Sequence, residues 1–125
     1  MPKQFADMGG TSVLERTVNK MREIPQVEGV VVAVPPDGQE PHPQVVQVKR
    51  NLSAMRGEVP PVFLVDGGDT RQESVYRALE AVPRDAAWIA VHDAARPFVG
   101  LRMFGRVLEA AYEHGSAVCG MPPSD

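Results

Sequence analysis

Four short apolar runs punctuate the chain, at Val27–Val34, Val62–Val65, Ala86–Val91 and Ser116–Met121. Most are rich in valine and bounded by Gly, Pro or charged residues, the pattern of strands buried on both faces of a parallel sheet. Between them the apolar positions change period. Val13, Leu14, Val18 and Met21 share one helical face, as do Val75, Leu79 and Val82, and then Met103, Phe104, Val107, Leu108, Ala111 and Tyr112. These stripes predict helices laid over the sheet. Ser12 with Glu15, and Thr70 with Glu73, have capping-box spacing at two helix starts, and Gly115 stands where the last helix should stop. A further helix is predicted from about Pro43 to Met55, between loops at Pro35–Pro43 and Gly57–Pro61. No repeat or low-complexity tract interrupts this order. Alternation of strand and helix implies a mainly parallel sheet with right-handed crossovers, a three-layer αβα domain in which ligands bind beyond the carboxyl ends of the strands.

Composition narrows the class without changing the architecture. A length of 125 residues suits one domain, residues 1–125. An apolar content of 43% with 23% charged residues is ordinary for a globular protein, and no run approaches the roughly 18 apolar residues of a membrane span. A net charge of −3 argues against a non-specific nucleic-acid binder while leaving room for a small anionic ligand in a local cationic pocket. The single Cys119 forms no internal disulfide or zinc cluster, and with no signal peptide ahead of the fold a reducing, cytoplasmic setting is expected. The ends stand out. The chain enters its first helix without an opening strand and stops at Asp125 just after a strand and two prolines, so it reads as cut at both ends.

Two strand ends carry the chemistry. In Val65-Asp66-Gly67-Gly68-Asp69-Thr70-Arg71-Gln72-Glu73-Ser74-Val75, the glycines let backbone N–H groups approach a base, ribose or phosphate, and the helix that follows turns its positive end toward the same place. Glycine also serves tight strand-to-helix turns for backbone reasons alone, and Ser74 reads either as a base-binding hydroxyl or as an ordinary helix serine. In Val91-His92-Asp93-Ala94-Ala95-Arg96-Pro97-Phe98, Asp93 is placed to hold Mg²⁺ against a triphosphate, small Ala94 and Ala95 let a ligand pack on the backbone, and Arg96 faces an anion. Equally, Asp93 caps the next segment and Arg96 pairs with it on the surface. His92 reads as a spacer or hydrogen-bonding residue, and Trp88, Phe63 and the methionines read as core. Lys3 is, on its chemistry alone, a lysine near a terminus.

Pro2-Lys3-Gln4-Phe5, then Gly67-Gly68-Asp69 with Arg71 and Ser74-Val75, then His92 to Phe98, in that order and at those separations, closely resemble the 2-C-methyl-D-erythritol 4-phosphate cytidylyltransferases of the non-mevalonate isoprenoid pathway. The resemblance runs through the whole chain. It implies a Rossmann-like nucleotidyltransferase fold and a reaction that joins CTP to methylerythritol phosphate with release of pyrophosphate, assisted by Mg²⁺. It also implies site roles: Gly67, Gly68, Asp69 and Ser74 on the cytidine, Asp93 and Ala94 by the ribose and metal, Asp93 and Arg96 at the sugar phosphate, and Lys3 with Arg96 stabilising the charged transition state. It further implies a homodimer for the full-length form, with no nucleic-acid or membrane partner.

Family members open with a strand and a Gly-rich, arginine-bearing loop before the Pro-Lys-Gln-Phe segment, and continue past the position of Asp125 into a dimer arm. Neither is present here, so the sheet is expected to be incomplete, with unpaired edges and a marginal, association-prone fold. Two alternatives stay beside the resemblance: a cytidylyltransferase of the ribitol 5-phosphate type, and an inactive truncated remnant that binds nucleotide without turnover.

Overall fold

A computed structural model of the chain describes residues 3–38, 42–97 and 100–118. A short 3₁₀ turn, Lys3–Phe5, precedes helix α1 (Val13–Arg22), strand β1 (Val30–Val34), helix α2 (Pro43–Ser53) with a 3₁₀ extension over Ala54–Gly57, strand β2 (Val62–Asp66), helix α3 (Arg71–Ala81) and helix α4 (Leu101–His114). The two strands pair in parallel, Val30 opposite Val62 and Val34 opposite Asp66. The α/β class and the parallel sheet are as the periodicity implies.

The core follows from the period of 2 along each strand. Val32 and Val34 of β1 and Val62 of β2 turn to one face, where Phe5, Leu14 and Val18, with Val48 and Leu52 of α2, close over them. Helix α3 contributes nothing to that cluster and packs on both strands, over the half-buried face of Val31, Ala33, Phe63 and Val65. The layers are therefore α1 and α2, the sheet, and α3.

Local chemistry sets the helix ends. Ser12 Oγ accepts the Glu15 N–H at 3.1 Å, while the Glu15 carboxylate accepts the Ser12 N–H at 3.1 Å, the Ser12 hydroxyl at 2.7 Å and the Asn51 amide at 2.8 Å. A buried carboxylate is thereby fully partnered, and α1 is tied to α2. Gly115 ends α4 at φ 91°, a left-handed conformation that costs glycine nothing and other residues strain.

Two expected strands do not form among the described residues. Ala86–Val91 runs without a ladder, and Ser116–Val118 is not a strand; positions 119–121 of that run, and Cys119, lie outside the described residues. The physical reason is non-local. An apolar run becomes a strand only against a neighbour that satisfies its N–H and C=O groups, and β1 and β2 pair only with each other. Trp88, expected in the core, is 43% exposed, and Ile89 and Val91 are more exposed still. Trp88 instead meets Tyr112 edge to face, ring centroids 4.9 Å apart. Helix α4 buries only Ala111 of its apolar stripe, because a two-stranded sheet is too narrow to seat a fourth helix.

Candidate functional site

Of the two turns singled out in the sequence, the first follows the carboxyl end of β2, and the second follows a run that forms no strand among the described residues and packs on the core through Ala94. The first leaves β2 and leans on β1, the Gly67 N–H donating to the Val34 carbonyl at 2.7 Å. Its next donors are met by α3 itself: the Gly68 N–H by Ser74 Oγ at 3.0 Å and the Asp69 N–H by a Glu73 carboxylate oxygen at 2.8 Å. Thr70 caps α3, accepting the Glu73 N–H at 3.1 Å, and Arg77 donates to the Gly67 carbonyl at 3.2 Å. Glu73 thus reaches past Thr70, the partner its capping-box spacing predicts, to Asp69.

Neither glycine adopts a positive φ. What they provide is room. A Cβ on Gly67 would stand 3.0 Å from Ser74 Oγ and 3.3 Å from the Val34 carbonyl, and one on Gly68 would collide with the Cβ of Glu73. Gly68→Ala is therefore expected to cost about 1–3 kcal/mol, the usual cost of overpacking. In a double-mutant cycle followed by urea unfolding, Gly68→Ala should cost less in a Glu73→Gly background than in the parent chain, since the colliding atom is then absent. Equal stability of Gly68→Ala and the parent chain would show that the space is not needed.

In the second turn Asp93 Oδ1 accepts the Ala95 N–H at 3.0 Å, and the Asp93 carbonyl accepts the Arg96 N–H at 3.2 Å. The Arg96 Nε lies 3.5 Å from Asp93 Oδ2, and His92 Nε2 lies 2.8 Å from the Arg96 carbonyl. The Asp93 carboxyl is lowered from its ordinary value, first by the Ala95 N–H, which outweighs the opposing effect of burial, then by the hydrogen bond and charge of Arg96 and, last, by the charge of Arg71. Arg71 belongs to the first turn of α3. Both side chains of the Asp93–Arg96 pair are largely exposed, so the pair itself adds little stability.

Lys3 stays exposed, in a segment pinned by fully buried Phe5. Among the described residues no hydrogen bond or ion pair joins Lys3 to Asp93 or Arg96, whereas Ala94 packs against the core cluster directly below the second turn. Asp69 and Arg96 are exposed, and Gly67, Gly68 and Ser74 are half-buried.

No group of three or more His, Cys, Asp or Glu side chains gathers for a metal among the described residues. Asp93 offers a single carboxylate, one oxygen accepting the Ala95 N–H and the other paired with Arg96 at 3.5 Å. That donor set suits a Mg²⁺ ion that arrives on phosphates and keeps most of its waters, rather than a resident metal caged by protein.

Three participants escape a reading of the sequence. Glu73 and Arg71 sit within the first motif, but nothing local says that one fills the space of Gly68 or that the charge of the other is felt by Asp93. Thr17 is the third: it is 4% exposed, and its hydroxyl donates to the Ala94 carbonyl at 2.9 Å. A signal for it exists, a lone hydroxyl on the apolar stripe of Leu14, Val18 and Met21.

Comparison with known proteins adds an independent line. The family described as IspD, 2-C-methyl-D-erythritol 4-phosphate cytidylyltransferase, matches residues 1–125. The chain is 40% identical over 123 residues to a bifunctional enzyme IspD/IspF of Anaeromyxobacter dehalogenans, covering 98% of this chain and 29% of that protein. It is 38% identical over 125 residues to the 2-C-methyl-D-erythritol 4-phosphate cytidylyltransferase of Acidobacterium capsulatum, covering 99% and 49%. The crystal structure of the Thermus thermophilus 2-C-methyl-D-erythritol 4-phosphate cytidylyltransferase superposes with a TM-score of 0.65 at 36% identity, over 91% of this chain and 46% of that one. The chain thus spans about half, or less, of the length of these relatives.

Proposed function

We propose, since this chain belongs to the 2-C-methyl-D-erythritol 4-phosphate cytidylyltransferase family, that it carries the nucleotide side of an enzyme transferring a cytidylyl group from CTP to 2-C-methyl-D-erythritol 4-phosphate. In that reaction an oxygen of the acceptor phosphate forms a new bond to the α-phosphorus, the bond from the α-phosphorus to the bridging oxygen breaks, and pyrophosphate leaves with the electron pair. Phosphoryl transfer of this kind asks a protein mainly for positioning and for cations aimed at developing charge.

The residues divide accordingly. Gly67, Gly68, Asp69 and Ser74 meet the cytidine, Ser74 exchanging its Gly68 partner for the base. Asp93 and Ala94 meet the ribose, and Asp93 with the phosphates holds Mg²⁺, which neutralises phosphate charge when bound. Arg96 takes the sugar phosphate, and Lys3 faces the transition state. Arg71, at the start of α3, adds positive potential between the two turns. The observation that supports this reading is the glycine turn at the carboxyl end of β2, where a Cβ on either glycine would crowd its neighbours and where α3 opens directly after Thr70.

None of the described helices is long and apolar enough to cross a membrane. We place the full-length enzyme in the cytoplasm, as a homodimer, without nucleic-acid or membrane partners.

The test is a titration of the ¹⁵N-labelled chain with CTP and Mg²⁺. Shifts confined to the amides of Gly67 to Ser74 and Asp93 to Arg96 are expected, together with weaker binding of UTP. Equal response to both nucleotides, or none to either, would overturn the reading. Pyrophosphate release with methylerythritol phosphate and not ribitol 5-phosphate assigns the acceptor; the reverse assigns a ribitol phosphate enzyme. CTP binding without release under any acceptor would leave the chain a nucleotide-binding fragment.

A further inference from the structure

We infer that Thr17 is a positioning residue for the Asp93–Arg96 turn: its buried hydroxyl is the tether that fixes this turn, and with it the Asp93 carboxylate, against the body of the domain. The part of this inference that concerns ligand rests on the nucleotide reading above.

The hydrogen bonds of the turn are otherwise all internal. Ala95 donates to Asp93 Oδ1, Arg96 to the Asp93 carbonyl, and His92 meets the Arg96 carbonyl. Pro97, next in the chain, has no N–H to give. Among the described residues, the one hydrogen bond that leaves this turn for the rest of the fold is Thr17 Oγ1 to the Ala94 carbonyl, 2.9 Å long.

The hydroxyl has a second acceptor within reach, the Val13 carbonyl at 3.0 Å. A threonine inside a helix gives its proton by default to the carbonyl four residues back, so Ala94 draws on a donor with a local alternative. The two needs are unequal. The Val13 carbonyl lies in α1, where the helix ladder supplies it an N–H, whereas no backbone donor is bonded to the Ala94 carbonyl among the described residues. With Thr17 only 4% exposed, water cannot readily take its place. Removing the hydroxyl should therefore free the turn while leaving α1 intact, and a ligand that needs the turn ordered would then bear the ordering cost on binding.

The test compares Thr17→Val and Thr17→Ala, which lack the hydroxyl, with Thr17→Ser, which keeps it, each checked for an unchanged pattern of β1 and β2 amide shifts. In the unliganded chain, ¹⁵N order parameters at Ala94 and Ala95 should fall from about 0.85 to below about 0.6 in the variants without a hydroxyl, and hold in Thr17→Ser. CTP should bind about tenfold more weakly to the former and within about twofold of the parent to the latter. A turn that stays ordered without the hydroxyl overturns the tether. A loosened turn with unchanged CTP affinity overturns its bearing on the ligand. If the unaltered chain does not bind CTP, the nucleotide reading fails separately, and the order parameters still decide the tether.

Discussion

Truncating Phe5 to alanine is expected to remove about 3–5 kcal/mol of stability, the range for deleting a fully buried aromatic ring. Phe5 is 0% exposed and sits among Leu14, Val18, Val48 and Leu52, so its loss opens a cavity between α1, α2 and the sheet. Small domains hold about 5–15 kcal/mol in all, and this one has few fully buried side chains to share the deficit. With a urea dependence of about 1–3 kcal/mol per molar, the midpoint followed by far-UV circular dichroism should fall by more than about 1 M. Phe5→Leu should recover most of it. A midpoint for Phe5→Ala within a few tenths molar of the parent would mean that the segment bearing Lys3 is not docked on the core.

Lys3→Ala should show the opposite profile. Its side chain is exposed in the structure, so the thermal transition should not move. If Lys3 meets charge that develops only in the transition state, turnover with CTP, methylerythritol phosphate and Mg²⁺ should drop by about 10²-fold, or about 3 kcal/mol, while CTP affinity stays within about threefold. Parallel loss of turnover and affinity would assign Lys3 to ground-state binding instead. Phe5 and Lys3 are two residues apart, and the contrast between them separates the anchor of the segment from its chemistry.

What the sequence made legible is what neighbours in sequence decide. Ser12 with Glu15, Thr70 before α3 and Gly115 after α4 act within one helical turn; Ser12 and Glu15 form the reciprocal box their spacing predicts, Thr70 caps α3 without the return bond from Glu73, and Gly115 ends α4. The runs at Val30–Val34 and Val62–Asp66 became strands because each found the other. Ala86–Val91 is as apolar, though richer in alanine than valine, and did not, since a ladder belongs to a pair and composition describes one member. The site divides in the same way. Gly67, Gly68 and Asp93 were visible as the residues after apolar runs, and the Asp93–Arg96 pairing was foreseen as one of two outcomes. That Glu73 occupies the space of Gly68 and that Thr17 reaches Ala94 depend on how α1, α3 and the turns lie in space.

The Thr17–Ala94 bond joins residues 77 positions apart. Since β1, α2, β2 and α3 are already folded between them, the bond and the packing of Ala94 order only the segment that follows α3, whereas the bonds inside the turn span a few residues and survive its detachment. Partial opening at this point therefore lies at lower free energy than global unfolding. On heating, the turn and the Asp93 carboxylate it carries should loosen before α1, α2 and the sheet unfold.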